Sequence, residues 1–406
     1  LGWTLLNLLP VLAFLLWVLL APLALCVLVL LLQTSLGRRG AAAPPEQRGP
    51  RPRLAVLVPA HNESAGIVPT VRGICHQLQP GERVLVVADN CTDDTAAKAR
   101  SAGAEVVERH NLDHIGKGHA LAFGLEALRA DAPQVLLIVD ADCQLEPNAL
   151  DLLARTAWAQ QRPVQARYLM DLPERMSVPQ KVAAFAWRVR NVARPLGWQR
   201  IGWPCQLMGT GMAFPWELVR NAALANSDLV EDMRLGVDLA KAGHPPLYCD
   251  AAVVRSLFPE TERATRSQRT RWEHGHLASI AAHVPGLLRQ AVLHAQPACL
   301  GLALDLMVPP LALLVLLVLG AGLLSLLTWA LLGWLWPVLL MLACALALVL
   351  AIGTAWSRHA RDVLSLREWL AIPGYVLGKL PIYLRFMTGR EKRWVRTDRD
   401  TKGDQA

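Results

Sequence analysis

Two aspartates one residue apart, Asp140 and Asp142, follow a continuous apolar run from Val135 to Val139. Hard carboxylate oxygens at that spacing can share a divalent cation, Mg²⁺ or Mn²⁺. The alternative is a pair of solvated acids, with Asp142 capping the next helix. Lys117 stands between Gly116 and Gly118 ahead of a helical stretch. Exposed backbone N–H groups and an ammonium at one point suit a diphosphate; the alternative is a solvated loop lysine. Asp89 closes the run Arg83–Asp89, where a carboxylate can accept a hydrogen bond from a nucleobase N–H or form a turn. Glu231 and Asp232 fall in the first turn of a helix expected over Asp228–Lys241, with Asp228 and Glu231 spaced as N-cap and N3 of a capping box. The bland reading of both acids is charge that complements the helix dipole. Gln268, Arg271 and Trp272 stand at i, i+3 and i+4 and share one helical face. Arg271 can bind a diphosphate and Trp272 offers a flat face for a sugar, or the helix lies on anionic lipid together with Arg263, Arg266 and Arg269. His274 and His276 follow closely, and polar surface or core satisfaction is expected for both ahead of metal ligation.

Stepping outward along the chain, short strands alternate with helices. Strands are predicted at Leu54–Val58, Arg83–Asp89, Glu105–Glu108 and Val135–Val139, and helices at Ala65–Leu78, Ala96–Ala102 and His119–Arg129. This alternation predicts an α/β fold built on a doubly wound, mostly parallel sheet. Unbroken Val/Ile/Leu strands are those buried on both faces, and ligands bind beyond their carboxyl ends. From residue 151 the pattern changes. Val164–Leu169 reads as a strand. Gln180–Gly197 is a basic amphipathic segment carrying Phe185, Trp187, Arg188, Arg190 and Arg194, suited to the membrane interface or to an ordinary surface. Gly209, Thr210 and Gly211 form a Gly-rich turn entering a strand and allow close backbone approach. Thr261–Ala278 reads as a strongly basic helix.

A hydrophobic content of 53% and a mean hydropathy of +0.30 exclude an ordinary soluble enzyme. The excess sits at the ends: neither Leu1–Leu32 nor Leu306–Trp356 holds a charge. Residues 1–33 are long enough to span a bilayer, and 299–357 read as two spans, 299–330 and 331–356, joined tightly near Leu332-Gly333. A basic Pro/Gly linker, 34–52, carries Arg38, Arg39, Arg48 and Arg51, with Arg53 just beyond. That bias places residues 53–290, the polar middle domain, on the cytoplasmic side of a bacterial-type inner membrane. Residues 358–406 hold a segment, Trp369–Leu384, broken by Pro373, Gly374, Lys379 and Pro381, and then a basic tail. It is read as interfacial, because a crossing would put Arg390-Glu391-Lys392-Arg393 outside. Three spans are therefore expected. The net charge of +8 clusters beside the apolar stretches, which points to membrane lipids or anionic ligands and not to nucleic acid. The eight cysteines form no C-x-x-C pair or zinc spacing and suit a reduced compartment.

The blocks LAVLVPAHNE (54–63), DNCTDDT (89–95), GKGH (116–119), DAD (140–142), GTG (209–211), VED (230–232) and QRTRW (268–272) occur in one order. With flanking membrane helices, the chain resembles the membrane-embedded members of glycosyltransferase family 2, which include cellulose, chitin and hyaluronan synthases and some glycolipid synthases. The resemblance implies a GT-A fold inserted between membrane helices and an inverting sugar transfer. It assigns Asp89 to a uracil ring, with Pro59, His61 and Glu63 lining the same slot and Glu63 nearest the ribose or base. Lys117 would contact the nucleotide. Asp142 would hold the metal, and Asp140 the nucleotide directly or through that metal. Asp232 would be the general base, with Glu231 beside it; Gly209, Thr210 and Gly211, with Met208 or Cys205, would border the acceptor. Gln268, Arg271 and Trp272 would face the acceptor and diphosphate. Val230 departs from the Thr that many synthases carry there.

The implied donor is a nucleotide sugar, expected to be a uridine diphosphate sugar, with Mg²⁺ or Mn²⁺. The implied acceptor is a carbohydrate, a growing polysaccharide first, or else a glycolipid receiving one sugar. Export or synthase partner subunits would accompany polymer synthesis. A non-catalytic scaffold would be expected to lack at least one of Asp89, Asp140, Asp142 and Asp232, and all are present. A transporter leaves the polar middle domain unexplained.

Overall fold

The computed structural model describes residues 2–38, 49–225, 230–258 and 262–388, and the side chains of all of these except 2–8, 262–269 and 387–388. The expectations for Asp228, Arg39, Arg48 and Arg390-Glu391-Lys392-Arg393, and for the side chains of Gln268, Arg263, Arg266 and Arg269, lie outside the described residues.

A long apolar helix, α1 (Gly2–Leu36), precedes a three-layer α/β domain. There β1 (Leu54–Ala60), β2 (Arg83–Asp89), β3 (Glu105–Arg109) and β4 (Val135–Ile138) alternate with α2 (Ile67–Cys75), α3 (Thr95–Ser101) and α4 (Lys117–Leu128). The sheet then takes in β5 (Gln144–Leu145), β6 (Val164–Asp171), β7 (Met212–Pro215) and β8 (Leu247–Leu257), with α5 (Ala149–Gln160) between β5 and β6. Its spatial order is β3-β2-β1-β4-β7-β6-β8-β5. β1 lies parallel to β2 and to β4, and β2 to β3. β7 is antiparallel to both neighbours, and β6 and β8 are parallel. The unbroken apolar runs of β1, β2 and β4 are buried almost throughout, as strands covered on both faces require. This is the doubly wound, mostly parallel GT-A architecture expected.

Four more helices follow: α6 (Val178–Arg188), α7 (Arg194–Arg200), α8 (Trp216–Val219) and α9 (Glu231–Lys241). A single π-helical turn, Val189–Ala193, connects α6 to α7. Beyond them come α10 (Glu262–Leu293), α11 (Pro297–Met307), α12 (Leu311–Leu332), α13 (Trp336–His359), α14 (Ile372–Leu377) and α15 (Leu380–Thr388). Among the described residues, three helices are long and apolar enough to cross a membrane: Leu9–Leu36, Leu311–Leu332 and Trp336–His359. The exposed leucines of α12 and α13 suit a hydrocarbon surround.

Several expectations change. The apolar run read as one span from residue 299 is two helices, because Pro309 and Pro310 lack the N–H groups that continuation needs. Its first piece, α11, turns inward and packs on α9 and α10 through Leu302, Ala303 and Leu306. The helix read from Asp228 starts at Glu231, with Val230 at the N-cap. Glu231 is thus the first helical residue and not the N3 partner of a capping box.

The amphipathic segment is not an ordinary exposed surface helix; most of it is buried. Trp198 is buried and donates its Nε1–H to Gly301 O at 3.0 Å. Arg188 reaches Asp362 at 2.6 Å, and Lys181 reaches Glu368 at 2.7 Å. Arg194 is buried and pairs with Asp305 of α11 at 2.9 Å. Gln33 of α1 bridges them, donating to Asp305 at 2.6 Å and accepting from Arg194 at 3.1 Å. Gln206 donates to the other Asp305 oxygen at 2.6 Å. Removing one partner of such a buried pair costs about 3–5 kcal/mol, so this network fixes the α/β domain on α1. Gly197 allows the contact: a Cβ there would meet Gln33 O at 2.1 Å.

Candidate active site

The chain runs from β1 outward to β2 and β3, then returns to β4 on the other side of β1. The switch point between β1 and β4 is where loops at the carboxyl ends diverge and leave a crevice. A cleft of about 330 Å³ opens there. Pro59, His61 and Glu63 reach it from the end of β1 and the following loop. Asp89 comes from the end of β2, Lys117 from the start of α4, and Asp140 and Asp142 from the loop after β4. Gly209 lies ahead of β7, Glu231 and Asp232 open α9, and Arg271 and Trp272 project from α10; all line the cleft.

Thr210 and Gly211 do not line it. Thr210 is buried beneath, where its Oγ1 accepts the Asp140 N–H at 3.0 Å. Gly211 packs against β6 and β8; a Cβ there would meet Val254 Cγ2 at 2.7 Å and Ala166 Cβ at 2.9 Å. The Gly-rich turn thus supports the floor, and only Gly209 faces the opening. Met208 lines the cleft and Cys205 is buried.

At one end, Asp89 is nearly buried, and its Oδ1 receives Arg109 Nη1 at 2.6 Å and Asn90 Nδ2 at 3.2 Å. His61 Nδ1 lies 2.7 Å from the Asp89 carbonyl oxygen, which ties the β1 loop to the β2 end. The Glu63 N–H donates to Thr95 Oγ1 at 2.8 Å.

In the middle, Lys117 faces three acidic side chains. Its Nζ lies 2.5 Å from Asp140 Oδ1 and 3.9 Å from Glu231 Oε1, and donates to Gly209 O at 2.7 Å. Gly209 makes this possible with a φ of +85°; a Cβ there would sit 3.4 Å from Asp232 Oδ2 and 3.5 Å from Lys117 Nζ. Burial alone would pull the Lys117 ammonium down, but Asp140, Glu231 and Asp232 outweigh it and hold the group above the ordinary lysine value. Burial pushes the Glu231 carboxyl up to about 7, against the pull of Lys117 and with the help of Asp232. Asp232 is also raised, chiefly by burial, against Lys117 and the Met233 N–H. Two adjoining acids raised by burial and restrained by one ammonium can take up a proton near neutral pH.

Asp140, Asp142 and Cys143 place ligand atoms within 4.8 Å of one another. The Cys143 Sγ donates to Asp142 Oδ1 at 3.6 Å, and burial holds the thiol far above its ordinary value, so it stays protonated. The usable donors are carboxylate oxygens, which fit Mg²⁺ or Mn²⁺ and disfavour a soft metal. His274 and His276 stand apart from this group. Their Nε2 atoms lie at hydrogen-bond distance from Ile382 O, 3.1 Å, and Leu306 O, 3.0 Å.

The far end holds residues that motif spacing missed as site residues. Trp272 packs on Trp187 with centroids 4.8 Å apart, and Trp187 meets Tyr168 edge-on at 5.1 Å. Arg190, Asn191, Gln206 and Asp305 also line the cleft. Arg190 lies in the π-helical turn, a local distortion frequent at functional sites. No spacing rule joins residues 187–191 to residue 272; a Trp and Arg inside an amphipathic segment were the only signal.

The doubly wound sheet, with its acid-lined cleft at the switch point, is of the GT-A class. The family model described as "Glycosyltransferase like family 2" matches residues 50–275, more than half of the 406 residues, and the chain belongs to that family. It is 24% identical over 243 residues to the "Probable glycosyltransferase YdaM" of Bacillus subtilis (strain 168), covering 55% of each chain. It is 26% identical over 255 residues to an "N-acetylglucosaminyltransferase" of Rhizobium meliloti (strain 1021), covering 57% of each. The chain thus spans little more than half the length of these curated relatives. Its fold resembles the mannosyltransferase PcManGT from Pyrobaculum calidifontis, solved with GDP-Man and Mn²⁺, at a TM-score of 0.55 and 17% identity, covering 91% of this chain and 97% of that one.

Proposed function

We propose that this chain transfers a sugar, with inversion, from a nucleotide diphosphate sugar to a hydroxyl acceptor at the membrane face. The observation that carries the reading is the convergence of Asp89, Lys117, Asp140, Asp142 and Asp232, from four separate segments, on one cleft. Asp89, braced on Oδ1 by Arg109, accepts from the uracil ring of a uridine diphosphate sugar. Pro59, His61 and Glu63 complete that slot. Lys117 and Arg271 hold the diphosphate, and Asp140 and Asp142 would hold Mg²⁺ or Mn²⁺. A divalent cation so held neutralises charge that builds on the departing diphosphate.

Asp232 takes the proton of the acceptor hydroxyl as its oxygen bonds to the anomeric carbon. The bond from that carbon to the diphosphate oxygen breaks, and its electron pair leaves with the nucleoside diphosphate. The raised value of Asp232 makes it a stronger base than a solvated carboxylate, and Glu231 shares its proton uptake. Trp272, packed against Trp187 at a tilt of 37°, gives the acceptor sugar an apolar face. Residues 53–290 form the catalytic unit, and the arginines beside the spans support a cytoplasmic placement at a bacterial-type inner membrane.

For the acceptor, the Gln268–Trp272 block and the paired indoles support a growing polysaccharide, with export or synthase partners. An apolar cavity beside those indoles supports a lipid acceptor. The test is a donor screen on detergent-purified protein, read by nucleoside diphosphate release and product size. Uridine diphosphate sugars should turn over with Mg²⁺ or Mn²⁺, giving a ladder for polymer synthesis or one organic-soluble product for lipid transfer. No release with any nucleotide sugar, lipid and saccharide acceptors supplied, would overturn the proposal.

A further inference from the structure

A second cavity, of about 120 Å³, adjoins the cleft and shares Trp187, Arg190 and Trp272 with it. All three apolar spans contribute to its wall: Leu30 of α1, Leu311 and Val315 of α12, and Ile352 of α13, with Ile372 and Val376 of α14 beside them. Most of its ionic lining groups have partners. Lys379 pairs with Glu273, Arg194 pairs with Asp305, and His276 Nε2 lies at hydrogen-bond distance from Leu306 O. Arg190 differs. Among the described residues its partner is Met233 Sδ at 3.6 Å, a weak acceptor. Trp187 Nε1 is buried with no partner among those residues. Arg190 is half-buried, and Asp232, Asp305 and Glu273 attract it only from beyond ion-pair distance, so its planar fork can still receive phosphate oxygens.

We propose that the acceptor is an anionic amphiphile. Its hydrocarbon chain lies in the second cavity, its phosphate on Arg190, and its hydroxyl-bearing head between Trp272 and Asp232. This rests on the glycosyl-transfer reading and names the acceptor class. A bare saccharide would find few hydrogen-bond partners along the aliphatic wall, and a soluble sugar phosphate would leave that wall uncovered.

The full chain in detergent is irradiated with a hexadecyl phosphate carrying a diazirine near the chain end, and labelled peptides are mapped. Labels are expected within Val308–Val315 and Ile372–Val376 of the unaltered protein. Arg190→Gln should cut labelling by about tenfold or more, the worth of a lost charge-assisted hydrogen bond. The same probe ending in an alcohol should label both proteins alike. Millimolar inorganic phosphate should not displace the phosphate probe. Labels confined to the outer faces of α12 and α13, at Leu323 and Leu342, would overturn the proposal. So would indifference to Arg190→Gln, or displacement by inorganic phosphate or by a soluble oligosaccharide alone. Nucleotide-sugar binding is measured on the same samples: its absence from the unaltered protein overturns the transferase reading, whereas the label map judges the lipid acceptor by itself.

Discussion

Lys117→Met isolates the electrostatic balance of the cleft. The ammonium lies 3.9 Å from Glu231 Oε1. At an effective dielectric of about 20, opposite unit charges at that separation attract by roughly 4 kcal/mol, which corresponds to about three pH units. Water entering the space left by the ammonium screens part of this, so we expect a shift of at least about one unit. The sign is fixed. Lys117 lowers both Glu231 and Asp232, so its removal raises both, and the pair takes up protons at higher pH. The base works deprotonated, so the acidic limb of kcat/KM moves upward whichever acid dominates it. In the unaltered enzyme that limb is expected well above the ordinary carboxylate range, with the upper step near the value of about 7 set for Glu231. The assay is nucleoside diphosphate release across pH, each profile normalised to its own plateau so that weaker donor binding does not enter. A limb that stays in place or moves to lower pH in Lys117→Met would refute the coupling.

Two further substitutions probe separate parts of the account. Asp142→Asn should weaken activation by Mn²⁺ by about 100-fold or more, beyond the 10–100-fold that loss of an outer partner costs; a titration of turnover against Mn²⁺ measures it, and an unchanged midpoint removes Asp142 as a ligand. Gly197→Val places a side chain where a Cβ already meets the Gln33 backbone at 2.1 Å. Since backbone cannot step aside cheaply, a loss of about 3 kcal/mol is expected, seen as a lower thermal midpoint in detergent; an unchanged midpoint would mean that α1 and α7 do not pack closely.

Much of this fold was legible because local pattern and tertiary role coincide in it. Strands buried on both faces read as unbroken Val/Ile/Leu runs, and the acids that matter terminate them, so Asp89, Asp140 and Asp142 could be placed at one sheet edge without coordinates. Lys117 was legible for a similar reason: a lysine between glycines at a helix start has few positions to occupy. Residues brought in by packing were not legible. Trp187, Arg190 and Asp305 approach the cleft only because α6, α7 and α11 fold inward over it, and amphipathicity alone does not say what covers a face. Thr210 and Gly211 were misplaced because a glycine turn signals close approach without naming what approaches; here β6 and β8 do. The apolar run from residue 299 hid a break at Pro309-Pro310, since hydropathy averaged over a span outweighs two prolines, and a lone Asp305 gave no hint of its partners Arg194, Gln33 and Gln206.

The role given to Asp232 is tested most directly by measuring sugar transfer and nucleotide-sugar binding side by side in Asp232→Asn. The amide keeps the shape of the side chain and removes its ability to take a proton. Turnover should fall by about 10²–10⁴-fold, the usual share of a positioned general base, while donor binding persists. Turnover equal to that of the unaltered enzyme would contradict the assignment, and loss of donor binding along with turnover would make Asp232 part of the donor site instead.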